Sequence, residues 1–69
     1  MNAVRRIAEV MRRAVGQRRW RTKQLVARTG LQWATVWRAL RALEAEGVVE
    51  KDGVDWIWNR KEGNRDKEV

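Results

Sequence analysis

The sequence has no cysteine and no histidine among its 69 residues. The first absence excludes disulfides, thiolate nucleophiles and zinc sites built on sulfur. The second removes imidazole acid–base chemistry and the commonest nitrogen ligand for metals. No run of 18 or more apolar residues occurs, so nothing here is expected to span a bilayer, and no apolar h-region suggests export. The expected compartment is the cytoplasm, at a nucleoid or inside a host cell. Internal repeats and low-complexity tracts are missing as well. A chain this short makes one domain, and without staples or metal its burial barely balances its chain entropy. Two features could offset that. One is the set of five tryptophans, each able to bury a large area; the other is pairing with a second copy, which makes a homodimer an expectation.

What the sequence has in abundance is positive charge. Sixteen Lys and Arg face nine Asp and Glu, for a net of +7, and 12 of the 16 bases are arginine. The charges are unevenly spread. Residues 1–43 carry 11 bases and one acid, Glu9, a net of +10, whereas residues 44–69 carry five bases and eight acids, a net of −3. A field of one sign on one part of a small domain is the footprint of a protein that binds a polyanion.

The pattern of apolar residues divides the chain into elements. Val4, Ile7, Ala8, Met11 and Val15 repeat at helical spacing, which predicts a first helix over Ala3 to Val15 with Arg5, Arg6, Glu9, Arg12 and Arg13 on its solvated face. Gly16 suits the residue beyond its end. Arg19 to Arg21 reads as a brief extended segment, and Thr22 as the N-cap of a second helix that carries Leu25 and Val26 inward and stops at Gly30. A third helix runs from Gln32 to Glu46 with Val36, Ala39, Leu40 and Leu43 inward; Ala34, Arg38 and Arg41 point the other way. After Gly47 the period changes to two. Val48 to Lys51 and Val54 to Trp58 read as a hairpin closed by Asp52-Gly53, a type I′ pair in which both residues need positive φ, with Val54, Trp56 and Trp58 on the inner face. Residues 1–58 thus form the expected domain, and residues 59–69 a charged, frayed tail.

Helix, extended segment, helix, tight turn, longer helix, hairpin is a mainly α fold with a small β-hairpin (α+β). The stretch TKQLVARTGLQWATVWRALRALEAEGVVEKDG, Thr22 to Gly53, resembles the three-helix winged helix-turn-helix domain of bacterial and archaeal transcriptional regulators, including those of the IclR and MarR types. The matching positions are Leu25 and Ala27 in the second helix, Gly30 and Leu31 at the turn, Thr35 and Val36 early in the third helix, Leu40 and Leu43 spaced by three, and Gly47-Val48-Val49 entering the wing. Two positions depart from the usual pattern: the Ser or Thr that caps the third helix is Gln32, and the basic residue after it is Trp33.

The resemblance implies that the third helix enters the DNA major groove with its N-terminal residues on base edges. Position by position, that selects Gln32, Trp33, Thr35 and Arg38 as base readers. Gln pairs bidentately with adenine, Arg with guanine, and Thr meets a thymine methyl. The plainer reading of Gln32 and Thr35 is that they serve the helix start. Phosphate contacts are expected from Arg18, Arg19, Arg21, Thr22, Lys23 and Arg41, with Trp37 at the border and Lys51 on the wing. The wing otherwise argues against phosphate, since Glu50, Lys51, Asp52 and Asp55 sum to −2. Arg28 is placed to offset the dipole of the second helix. Trp20, Trp56 and Trp58 read as core. Trp33 and Trp37 have three readings: the edge of the core, a stacking surface on sugar or base, or the interface of a second subunit.

Double-stranded DNA is therefore the expected partner and transcriptional regulation the expected role. No cofactor, small-molecule substrate or membrane partner is indicated. Two alternatives share the fold. One is a protein-interaction or assembly module built on the acidic wing; the other is an architectural or recombination-accessory DNA binder. An interaction module gives no reason for Gln32, Lys23, Arg38 and Arg41 all to point outward from one helix pair. Catalysis finds no support, because no nucleophile–base pair, metal set or phosphate loop is present.

Overall fold

In a computed structural model, which describes residues 2–59, Asn2 opens the first helix, α1 (Ala3–Arg13), its side-chain oxygen accepting from the N–H groups of Val4 (3.0 Å) and Arg5 (3.4 Å). Ile7 and Met11 are buried from this helix, with Val4 and Ala8 packed beside them. The helix ends two residues earlier than the spacing predicts. Ala14 leaves helical geometry, the chain turns, and Val15 is 95% exposed rather than part of the inner stripe.

Arg19–Trp20 forms a two-residue strand, β1, and Thr22–Thr29 forms α2. Thr22 is not its cap. Arg21 holds that position, with its backbone N–H donating to the Gln24 side chain at 2.9 Å, while the buried Thr22 hydroxyl accepts from the indole N–H of Trp56 at 3.2 Å. The third helix, α3, spans Trp33–Ala45, with Gln32 as an N-cap that makes no side-chain hydrogen bond. Val36, Ala39, Leu40 and Leu43 are all buried, as their spacing requires. The end of α3 closes by the two bonds of a Schellman motif, from Gly47 N–H to the Glu44 carbonyl (3.0 Å) and from Val48 N–H to the Leu43 carbonyl (2.9 Å).

The wing strands are β2 (Val49–Asp52) and β3 (Asp55–Trp58). With β1 they make one antiparallel sheet in the order β1-β3-β2, so the extended segment before α2 is a third strand and not a mere connection. The hairpin turn lies one residue further on than expected. Asp52 pairs with Asp55, leaving Gly53 and Val54 as the two turn residues, and only Gly53 has positive φ (+64°). A glycine alone at the first central position is the type II′ arrangement, so Asp52 stays in the ladder. Val54 consequently sits at the tip, 64% exposed, while Trp56 and Trp58 are buried as predicted.

One core joins these layers. Ile7, Met11, Leu25, the α3 stripe, Val48, Val49 and three indoles pack together. Trp20 donates its N–H to the Gln17 carbonyl at 3.1 Å, as Trp56 does to Thr22, so two large aromatics enter the interior with their polar atoms satisfied. No buried side-chain polar atom among the described residues lacks a partner. Asn59 is still tied to the sheet through its N–H and the Val48 carbonyl (2.9 Å); the rest of the expected tail lies outside the described residues. The architecture is the winged helix-turn-helix.

Candidate nucleic-acid interface

The geometry of the site is set at the turn between α2 and α3. Gly30 adopts left-handed backbone (φ +74°) and returns its N–H to the Val26 carbonyl at 2.8 Å. Thr29 locks the same corner from inside. Its hydroxyl donates to the Leu25 carbonyl (2.7 Å) and accepts from the Leu31 N–H (3.2 Å), and the residue is buried. A guanidinium nitrogen of Arg6 on α1 reaches the Thr29 carbonyl at 3.4 Å, tying the first helix to the corner. These bonds fix the angle at which α3 leaves α2.

With Val36, Ala39, Leu40 and Leu43 facing the core, the exposed ridge of α3 carries Ala34, Arg38 and Arg41. The four residues selected as base readers do not form one cluster. Arg38 and Thr35 line a cavity against the start of α1, formed with Asn2, Val4 and Ala39. Trp33 lies on the other flank, in a cavity shared with the wing. Gln32 is exposed at the cap. Arg38 makes no ion pair or hydrogen bond with any described residue, and Lys23 at the start of α2 makes none either. Ala34, at the crest of the ridge, faces outward as its helix phase predicts, but it is not among the residues selected as base readers, because its small side chain carries no chemical signal in the sequence.

The second flank brings together residues of four elements. Trp33 and Trp37 from α3, Trp56 from β3, Lys51 from β2, and Arg21 and Lys23 from the head of α2 line one cavity of about 300 Å³. Trp33 is 55% and Trp37 36% exposed, so neither belongs to the core. Trp37 stands edge-on to Trp56, with centroids 5.2 Å apart and planes at 74°. The Lys51 ammonium lies over both rings, 5.7 Å from Trp37 and 5.5 Å from Trp56. Lys51 is thereby held on the α3 side of the wing.

The arginines expected on phosphate differ in how they are engaged. Arg19 is paired with Asp52 and Asp55, both at 3.1 Å, and Arg21 with Asp55 at 3.4 Å. The Asp52 carboxylate, and after it Asp55, holds the Arg19 guanidinium still more firmly protonated than usual. Two acids of the wing are thus matched by two arginines of the β1 region, which the linear charge sum of the wing does not reveal. Arg41 is paired with Glu44 on its own helix at 3.2 Å. Arg18 donates to the Trp58 carbonyl at 3.4 Å, and Arg28 lies 5.3 Å over the Trp20 ring in the last turn of α2. On α1, Glu9 takes both Arg12 (2.9 Å) and Arg13 (2.7 Å), and the hydrogen bond from Arg12 leads in holding its carboxyl below the usual range. Among the described residues no helix is long and apolar enough to cross a membrane.

The match of this chain to known families is to the IclR helix-turn-helix domain, over residues 3–53. That span covers all three helices and the wing as far as its turn. No curated protein and no solved structure matches the chain.

Proposed function

The chain belongs to the IclR helix-turn-helix domain family, a family of DNA-binding transcription regulators, and from that premise we propose that it reads the major groove of double-stranded DNA with the N-terminal half of α3. The observation that carries this reading is Arg38. It stands on the exposed ridge of the helix with no carboxylate or carbonyl among the described residues to satisfy it. A guanidinium in that state has its full fork of donors available for guanine O6 and N7. Ala34, a turn before it, is small enough to let the helix approach and to meet a thymine methyl. Gln32, Thr35 and Trp33 flank these two on either side.

Phosphate contacts in this reading come first from the cations with no acid among the described residues to give up, Lys23, Arg18 and Lys51. Arg19, Arg21 and Arg41 join by exchanging a carboxylate for a phosphate, which is a smaller gain. Thr22 contributes at most its backbone N–H, since its side chain is buried against Trp56. Three to five neutralised phosphates give only non-specific affinity, so site-specific control calls for two copies on adjacent half-sites. Such a domain acts in the cytoplasm, where its DNA is, and regulates by occluding the site or recruiting a partner. The alternative of a protein-interaction module built on an acidic wing loses its main feature, because Asp52 and Asp55 are already paired within the fold.

The test is chemical-shift mapping on a ¹⁵N-labelled sample titrated with a random-sequence duplex. The expected outcome is a set of shifted amides concentrated at 22–24 and 32–41. Shifts confined to α1, or to the outer strand of the wing, would overturn the reading.

A further inference from the structure

Three of the five tryptophans are buried, but Trp33 and Trp37 are left open on one flank of α3, in a domain that has little apolar area to spare. They are not scattered. They meet Trp56 in the cavity of about 300 Å³ described above, whose rim is set with Arg21, Lys23 and Lys51. Apolar walls with a few converging polar groups are what a small-ligand cleft requires, and this volume is at the lower end of that class. It suits one planar group and not a macromolecular edge.

The chemistry of the lining narrows the occupant. Indole faces stack on flat aromatic rings without regard to their hydrogen-bonding pattern. The three rim cations call for negative charge: Arg21 has Asp55 beside it, whereas Lys23 has no acid among the described residues to answer it. The wall also adjoins the basic face of α2 and α3. We propose that this cavity binds a single unpaired nucleotide: the base stacks against Trp33 and Trp37, and its phosphate lies at Lys23 and Arg21. Lys51, already over the Trp37 and Trp56 rings, adds its charge at the rim. The site shares Trp33, Lys23, Arg21 and Lys51 with the surface of the duplex reading but not Arg38 or Ala34, so its failure would leave base reading by that ridge standing. The nucleotide has two possible sources, a free nucleoside monophosphate or an unstacked residue of a single strand, and the chemistry is common to both.

The test titrates the whole chain with dAMP, with a short oligo-dA strand, and with an abasic strand of equal length and charge, following tryptophan fluorescence and the anisotropy of labelled strands. Base-bearing probes should quench the tryptophans, and the abasic strand should bind at least fivefold more weakly than oligo-dA, the loss expected from one stacked base. Trp33→Ala should lower oligo-dA affinity about tenfold, and Trp33→Phe should recover most of it. Trp33 is exposed, so neither change threatens the fold; Lys23→Gln should weaken binding at low salt and have little effect at high salt. Quenching by dAMP alone assigns the site to a free nucleotide, and quenching by the strand alone assigns it to nucleic acid. Equal binding of the abasic strand, insensitivity to Trp33→Ala, or no quenching by any probe overturns the proposal. If a random duplex still binds in that case, the duplex reading survives its failure.

Discussion

Lys51 stands directly across the hairpin from Trp56, and its ammonium lies 5.5 Å from the centre of that indole. The pairing follows from the position of the turn. Had Asp52 and Gly53 formed it, Lys51 would face Val54 and not Trp56; as it is, the ammonium also donates to the Gly53 carbonyl at 2.7 Å. With Gly53 and Val54 in the turn, the same strand faces are kept but each partner moves on by two, and Lys51 comes to rest over the tryptophans beside α3.

The turn itself is open to a direct check. Gly53 has positive φ and nothing within 4 Å of where a Cβ would stand, so Gly53→Ala should cost only the backbone penalty, about 1–2 kcal/mol. Asp52 is a ladder residue with an exposed ion pair to Arg19, and Asp52→Ala should change stability by less than about 1 kcal/mol. Urea unfolding of both variants decides it. A larger loss at Asp52 than at Gly53 would restore the type I′ turn.

The paired acids of the wing should restrain the domain's affinity for DNA. Removing them by Asp52→Asn with Asp55→Asn frees Arg19 and Arg21 and deletes two negative charges beside the binding face. Random-duplex affinity should rise, and the slope of log K against log salt should steepen by up to about 2 as both arginines become free to release counterions. The measurement is anisotropy across a range of salt. An unchanged slope would mean that these two arginines never meet phosphate.

The corner between α2 and α3 should be fragile at Thr29. Thr29→Val keeps the shape but removes the hydroxyl that bridges the Leu25 carbonyl and the Leu31 N–H. Losing both bonds in a buried setting should cost about 1–3 kcal/mol, readable as a lower urea midpoint with m unchanged. DNA binding should fall more steeply than the folded fraction, since the angle of α3 depends on the same bonds. A fully stable variant with normal binding would show that Gly30 alone sets the corner.

The helices were legible because their signals are periodic and local. Val36, Ala39, Leu40 and Leu43 are all buried where a period of 3.6 puts them, and Gly30 and Gly47 stop their helices as expected. What local pattern could not decide was competition for a partner. Thr22 is a favourable cap in isolation, yet its hydroxyl goes to Trp56, which is 34 residues away in sequence. Val15 continues the stripe of α1 by spacing alone, but the chain has already turned by Ala14. Asp52-Gly53 is a good turn pair on paper; the observed register instead pairs Asp52 with Asp55, where Arg19 from β1 bridges both carboxylates. The site was legible as a list of residues and not as a surface. That Arg19 and Arg21 are matched by Asp52 and Asp55, while Arg38 and Lys23 are not, depends on three-dimensional pairing that the linear charge count hides.

The most direct test of base reading by α3 is a paired titration of Arg38→Ala and the unaltered chain, against a duplex selected for tight binding and against a random duplex, over several salt concentrations. The unaltered chain should bind random duplex with a salt slope of about −3 to −4. Arg38→Ala should lose about 1–3 kcal/mol on the selected site and far less on the random one, because a base contact carries sequence and a phosphate contact does not. Equal losses on the two duplexes would make Arg38 a phosphate contact only, and no binding of either duplex at low salt would contradict DNA recognition by this face.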